Sequence, residues 1–221
     1  MLLNRILWVA LAAIAGLPSA CTPHAKHEKK GTQKTGGYPH AILEPADTAN
    51  YNVGREGKEI RWVVIHTTED PNGANCSWAR NWFKNPKSGV STHYVICQDG
   101  TIYRMVDDAD TAWHAGNYAY NLRAVGVELE RHDDLSVSEA QYESLSLLMR
   151  WLVNEHHTLS FKVVRGVAPA DPDAGAGVIG HDQVPDPKNP ERGGGAGYRK
   201  DPISFDWERF RKMYENLSRV K

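Results

Sequence analysis

Apolar residues along this chain recur with two spacings, and they mark out alternating strands and helices. Residues 60–66 form a compact run rich in β-branched positions that ends in His66. Residues 92–97 and 101–106 flank Gln98-Asp99-Gly100 and predict a hairpin with an Asp-Gly turn. A further strand is predicted over 124–130. Its alternation puts Val125, Val127 and Leu129 on one face, and Gly126, Glu128 and Glu130 on the other.

Helical spacing appears in three places. Asn75 is placed to cap a short helix that carries Trp78 and Trp82 at i and i+4 and ends at Asn85-Pro86. Ser136 and Ser138 each stand three residues before Glu139 or Gln141, the spacing of a capping box, and Tyr142, Leu145, Leu148, Met149 and Leu152 follow with helical period. His156 and His157 close that helix, where cations suit the negative terminus. A last helix starts near Asp206, with Trp207, Phe210, Met213, Tyr214 and Leu217 on one stripe that is expected to dock on the sheet. Between His181 and Tyr198 the chain is rich in Pro, Gly, Asp and Asn without apolar period, and reads as a long surface loop.

The N-terminus has a different character. Arg5 precedes an apolar run over 6–17 that is too short to span a bilayer, and Leu17-Pro18-Ser19-Ala20 leads into Cys21. This resembles a bacterial lipoprotein signal in which Cys21 is lipidated, with ordinary signal-peptidase cleavage as the alternative. The expected organisation is a signal over 1–20, a polar tether over 21–37 and one domain over 38–221. Thr22 after Cys21 points to an exported, outer-membrane lipoprotein facing the periplasm, joined to the membrane through its lipid. Net charge is −1 among 221 residues, which argues against a nucleic-acid partner. Cys76 and Cys97 are an even pair that an oxidising compartment allows to join, or two separate buried thiols.

His66, His181 and Asp201 together look like a mononuclear zinc site, with Glu128 as the carboxylate that hydrolysis needs. The blocks Val63-Val64-Ile65-His66-Thr67-Thr68, Ser91-Thr92-His93-Tyr94, Ala112-Trp113-His114-Ala115-Gly116, Val125-Gly126-Val127-Glu128, Gly180-His181 and Asp201-Pro202 resemble, in order, the zinc-dependent N-acetylmuramoyl-L-alanine amidases, the family that includes peptidoglycan recognition proteins. The resemblance is closest to bacterial members that cleave anhydro-muropeptides or act as lipoproteins. It implies an α/β fold with a mixed central β-sheet flanked by helices.

It also implies Zn2+ held by His66, His181 and Asp201, Glu128 as catalytic carboxylate, and cleavage of the amide between the lactyl group of N-acetylmuramic acid and L-alanine. The substrate is peptidoglycan or a muropeptide and the protein a monomer. His114 lines the substrate groove, with a structural role as its alternative, and His93 is structural. Asn117 and Arg123 contact the stem peptide by analogy of fold. The family has a lysine two residues before the aspartate. Here Arg199 holds that place and Lys200 follows it, so either serves as oxyanion partner, with Lys200 preferred. Asp186 is a competing carboxylate that lacks the Asp-Pro context. The rival reading is a non-catalytic peptidoglycan-binding module on the same fold; a zinc peptidase is disfavoured because no His-Glu-x-x-His is present.

Overall fold

The computed structural model describes residues 36–68, 76–131 and 136–219, and residues 35–221 form one compact unit. The signal, nearly all of the tether, Cys21 and the Asn75 cap lie outside the described residues.

The strands are β1 (Ile42–Leu43), β2 (Tyr51–Asn52), β3 (Trp62–Thr67), β4 (Tyr94–Ile96), β5 (Ile102–Arg104), β6 (Thr111–Ala112), β7 (Ala124–Leu129) and β8 (Gly177–Gly180). Helices are α1 (Ser77–Lys84), α2 (Tyr118–Asn121), α3 (Glu139–Glu155) and α4 (Trp207–Arg219). Six strands make one sheet in the order β1-β5-β4-β7-β3-β8, and β2 pairs with β6 separately. Only the β4–β5 hairpin is antiparallel within the six, so the sheet is mixed, as expected.

β3 and β7 are interior strands covered on both faces, which is why Trp62-Val63-Val64-Ile65 is apolar without alternation. Val63, Ile65, Val125, Val127 and Leu129 share a core with Leu145, Leu148 and Met149 of α3. On the other face Trp62 and Val64 pack with Tyr120 of α2 and with Ile179. Val95 of β4 meets Ala79 and Phe83 of α1 on that same second face.

Ser138 caps α3 through the reciprocal bonds of a capping box with Gln141, which resolves the choice between Ser136 and Ser138. α4 packs chiefly along α3 and joins the core that lies on that face of the sheet. Phe210 is fully buried there, and Phe161 stacks on Tyr214 with ring centroids 3.6 Å apart. The 182–198 segment is tied down by backbone bonds, including Gly195 N–H to Val184 O and Ala196 N–H to Gly116 O, both at 2.9 Å. Cys76 and Cys97 are joined in a disulfide with Cα atoms 5.4 Å apart. Among the described residues no helix is long and apolar enough to cross a membrane.

Candidate active site

Parallel strands β3, β7 and β8 bring their C-terminal ends to one edge, where open α/β sheets bind ligands. In-register pairing sets His66 of β3 beside Glu128 of β7, both on the face away from α3. His181 opens the turn that follows β8. Asp201 comes from the far end of the long loop and is tied on both sides. Its carbonyl accepts the Asp182 N–H at 2.8 Å, and the Ile203 N–H donates to Thr67 Oγ1 at 3.1 Å. Gly180 permits this approach, since a Cβ there would sit 2.5 Å from Pro202 Cδ.

His66 Nδ1 lies 3.1 Å from one Asp201 oxygen and His181 Nδ1 lies 3.4 Å from the other. One ligand atom from each of the three residues falls within 4.8 Å of the others, making a candidate metal site. Two imidazoles and one carboxylate within this reach are the nitrogen and oxygen donors that a divalent ion such as zinc takes, with a further position left for water. Burial pushes the His66 imidazole down. Asp201 is also pushed up by burial, but hydrogen bonds from His181 and His66 outweigh this and hold its carboxyl well below the usual range. A neutral imidazole and an ionised carboxylate are the protonation states that bind a metal.

Glu128 faces this cluster with Oε2 buried and without a hydrogen-bond partner. Burial, and after it the Asp201 charge, push its carboxyl up to about 8, while Arg199 draws it down. A carboxyl poised near neutrality beside a candidate metal site has the properties of a general base.

His114 also lines the cleft, but its Nδ1 is turned toward the back of the His66 ring, 3.1 Å from Nε2. Gly126 makes that possible: a Cβ on β7 at this point would lie 2.6 Å from the His114 ring. Asn121 Oδ1 fixes the local backbone by accepting the His114 and Ala115 N–H groups at 3.2 and 2.9 Å. Burial pushes the His114 imidazole well down. Arg199 and Lys200 are exposed on one wall of the cleft, and it is Arg199 whose charge reaches both His66 and Glu128.

His93 is a buried structural residue, its Nδ1 accepting the Gly126 N–H at 3.0 Å. Asp186 is buried in its own turn, accepting the Lys188 N–H at 2.9 Å, and stands outside the cluster. Asn117 and Arg123 do not take the substrate-facing places expected by analogy. Asn117 caps α2 and donates to Pro185 O, and Arg123 makes a two-point bond to Asp173 at 2.7 and 2.6 Å, so their side chains are committed to holding loops.

The cleft has a volume of about 570 Å3, and sequence reasoning missed its aromatic wall of Trp78, Trp82 and Trp113. The signal was present at α1. Ala79 and Phe83 make a second apolar i, i+4 pair beside Trp78 and Trp82, and an eight-residue surface helix has only one face to bury.

The family model described as N-acetylmuramoyl-L-alanine amidase matches residues 56–193, more than half of the chain, and stops short of Arg199 and Asp201. N-acetylmuramoyl-L-alanine amidase A of Achromobacter lyticus is 31% identical over 152 residues, 67% of this chain and 76% of that protein. The 1,6-anhydro-N-acetylmuramyl-L-alanine amidase AmpD of Escherichia coli K12 is 33% identical over 132 residues, 56% of this chain; the chain spans 58% of that relative's length. Among solved structures, a selenomethionine derivative of AmpD superposes with a TM-score of 0.61 at 24% identity, covering 81% of this chain and 97% of that one. The Staphylococcus aureus hydrolase AmiA superposes with a TM-score of 0.58 at 16% identity, covering 80% and 82%, which is a likeness of fold. A family match over this much of the sequence, on a sheet of the same architecture, settles the membership: the chain belongs to the N-acetylmuramoyl-L-alanine amidase family.

Proposed function

We propose that the chain hydrolyses the amide between the lactyl group of N-acetylmuramic acid and L-alanine, in peptidoglycan or its muropeptides, with Zn2+ held by His66, His181 and Asp201. The observation that carries this reading is the convergence of those three residues on one point with the unpartnered oxygen of Glu128 facing them. Zinc, when bound, supplies Lewis-acid polarisation and a water of lowered pKa.

The chain's own groups do the rest. Glu128 accepts a proton from the attacking water at Oε2 and returns it to the departing amine of L-alanine, so one carboxyl serves as base and then as acid. Arg199 supplies the fixed positive charge for the oxygen that becomes negative when the carbonyl is attacked, a role its place on the cleft wall supports. Its influence on Glu128 and His66 favours it over Lys200 for that role. His114 is a positioning residue. By accepting the His66 Nε2–H at its own Nδ1, it fixes the tautomer that leaves His66 Nδ1 free as a ligand.

Export is part of the same proposal. The Arg5, apolar and Ala20-Cys21 pattern supports a lipid anchor on Cys21 that places the domain at the periplasmic face of the outer membrane. The test is a zinc titration of the metal-free protein followed by incubation with a defined muropeptide. Activity that appears at one zinc per chain and is lost in Asp201→Ala supports the assignment. Full activity in the metal-free protein, or in Asp201→Ala, overturns it.

A further inference from the structure

Helix α1 has two apolar sides with different fates. Ala79 and Phe83 are buried against β4, whereas Trp78 and Trp82, one residue earlier in each turn, remain 42% and 47% exposed and line the cleft. Single exposed aromatics need no explanation. Here two indoles on one helix share a cleft with Trp113, whose Nε1–H is held by Asn52 Oδ1 at 2.6 Å.

An eight-residue helix is not stable by itself. This one is anchored at both ends. Cys76, just before it, is bonded to Cys97 beyond the end of β4, and Asn50 Nδ2 donates to Phe83 O and Asn85 O, both at 2.8 Å. Arg80 and Lys84 both pair with Glu44. The indoles thus stand on a fixed platform.

The opposite wall has a different chemistry. α1 lies over β4, at one side of His66 and Glu128, while the segment carrying Arg199 and Lys200 comes off the turn after β8 at the other side. The amide to be cut also separates two unlike halves. On one side is an uncharged sugar, whose C–H bonds are polarised by neighbouring oxygens and suit the electron-rich face of an indole. On the other is a peptide that ends in a carboxylate, which suits the cations. The opposite placement would set indoles against charge and cations against a neutral ring. Trp78 and Trp82 are separated along the helix by about 6 Å, comparable to the length of one pyranose ring.

We propose that Trp78 and Trp82 form a sugar subsite, stacking on a pyranose ring of the muramyl half of the substrate while the stem peptide runs along Arg199 and Lys200. The proposal rests on the amidase reading, and its test separates the two. In the full zinc-loaded chain, kcat/KM is compared for a muramyl-L-alanyl peptide and for the lactoyl-L-alanyl peptide that has the same amide without the sugar. In a Trp78→Ala, Trp82→Ala double variant the ratio between the two substrates should fall about tenfold or more, the order reached by two aromatic stacks of ordinary strength. The Trp78→Phe, Trp82→Phe variant should restore most of that ratio.

Calorimetric titration of the metal-free chain with the peptide-free disaccharide GlcNAc–MurNAc supplies an arm that needs no turnover. Heat of binding in the native chain that disappears in the double alanine variant supports the subsite even if no amide is cut, in which case only the amidase reading falls. An unchanged substrate ratio, or disaccharide binding that survives both substitutions, overturns the subsite. So would self-association of the native chain that the double variant abolishes while sugar binding persists, since a second copy would then be the occupant of the wall.

Discussion

At Glu128 a buried carboxyl with a free oxygen looks onto two imidazoles and a second carboxylate, and the chemistry depends on how each is protonated. Glu128→Gln keeps the shape and removes the base, so it should lower kcat by about 10²–10⁴-fold while leaving zinc stoichiometry at one, read by muropeptide turnover and metal analysis. It should also change pH dependence in the metal-free protein. With the folded carboxyl pushed up to about 8, Glu128's own contribution to stability is fully present below the ordinary glutamate range and is lost as pH rises through about 8. The glutamine variant lacks that loss. Its advantage in urea denaturation should grow from pH 4.5 to 8 and then level off, at no more than about 5 kcal/mol given about 1.4 kcal/mol per unit. Arg199→Ala should reduce kcat by about 10²–10³-fold, as expected for loss of an oxyanion partner. Lys200→Ala should cost less than Arg199→Ala; the reverse order would return the role to Lys200. His114→Ala should weaken zinc binding about 10–100-fold in competition with a chelator, because His66 loses the contact that sets its tautomer.

At the scale of elements, the strands were legible because their signals are local. Residues 60–66 are apolar on both sides, the Asp-Gly turn marks the hairpin, and alternation over 124–130 put Glu128 on the face away from Leu129, where it is found. α3 was legible to its cap through Ser138 and Gln141. The resting place of α4 was not, because an apolar stripe says that a surface is buried and not which surface covers it. Pairing of Cys76 with Cys97 was likewise open until β4 and α1 were set side by side. That bond closes a sequence separation of 21 residues, and removing it with Cys97→Ser should lower stability by about 3 kcal/mol, measured by chemical denaturation under non-reducing conditions. Gly126→Ala should be damaging despite its small size, since its Cβ would meet the His114 ring at 2.6 Å; reduced zinc affinity would distinguish this from a general loss of strand stability.

Across the whole molecule, the site is assembled from four places far apart in sequence by the ends of three parallel strands and one returning loop. His66, His181, Asp201 and Glu128 could be nominated for the candidate site from residue blocks because strand ends and an Asp-Pro step carry recognisable neighbours. Their mutual distances could not, nor could the turn of His114 toward His66, which depends on a missing Cβ one strand away. The aromatic wall escaped for the same reason: exposure is a property of the assembled cleft. Function rests on that assembly cutting one particular bond by addition of water. The most direct measurement is hydrolysis of a defined muropeptide in water enriched in oxygen-18 by the zinc-loaded full chain, followed by mass spectrometry of both products. One heavy oxygen in the lactyl carboxylate of the muramic acid product, with an unlabelled stem peptide bearing a free L-alanine amine, is the expected result. Intact muropeptide from a folded, zinc-saturated chain, or heavy oxygen in a peptide carboxylate, would contradict it.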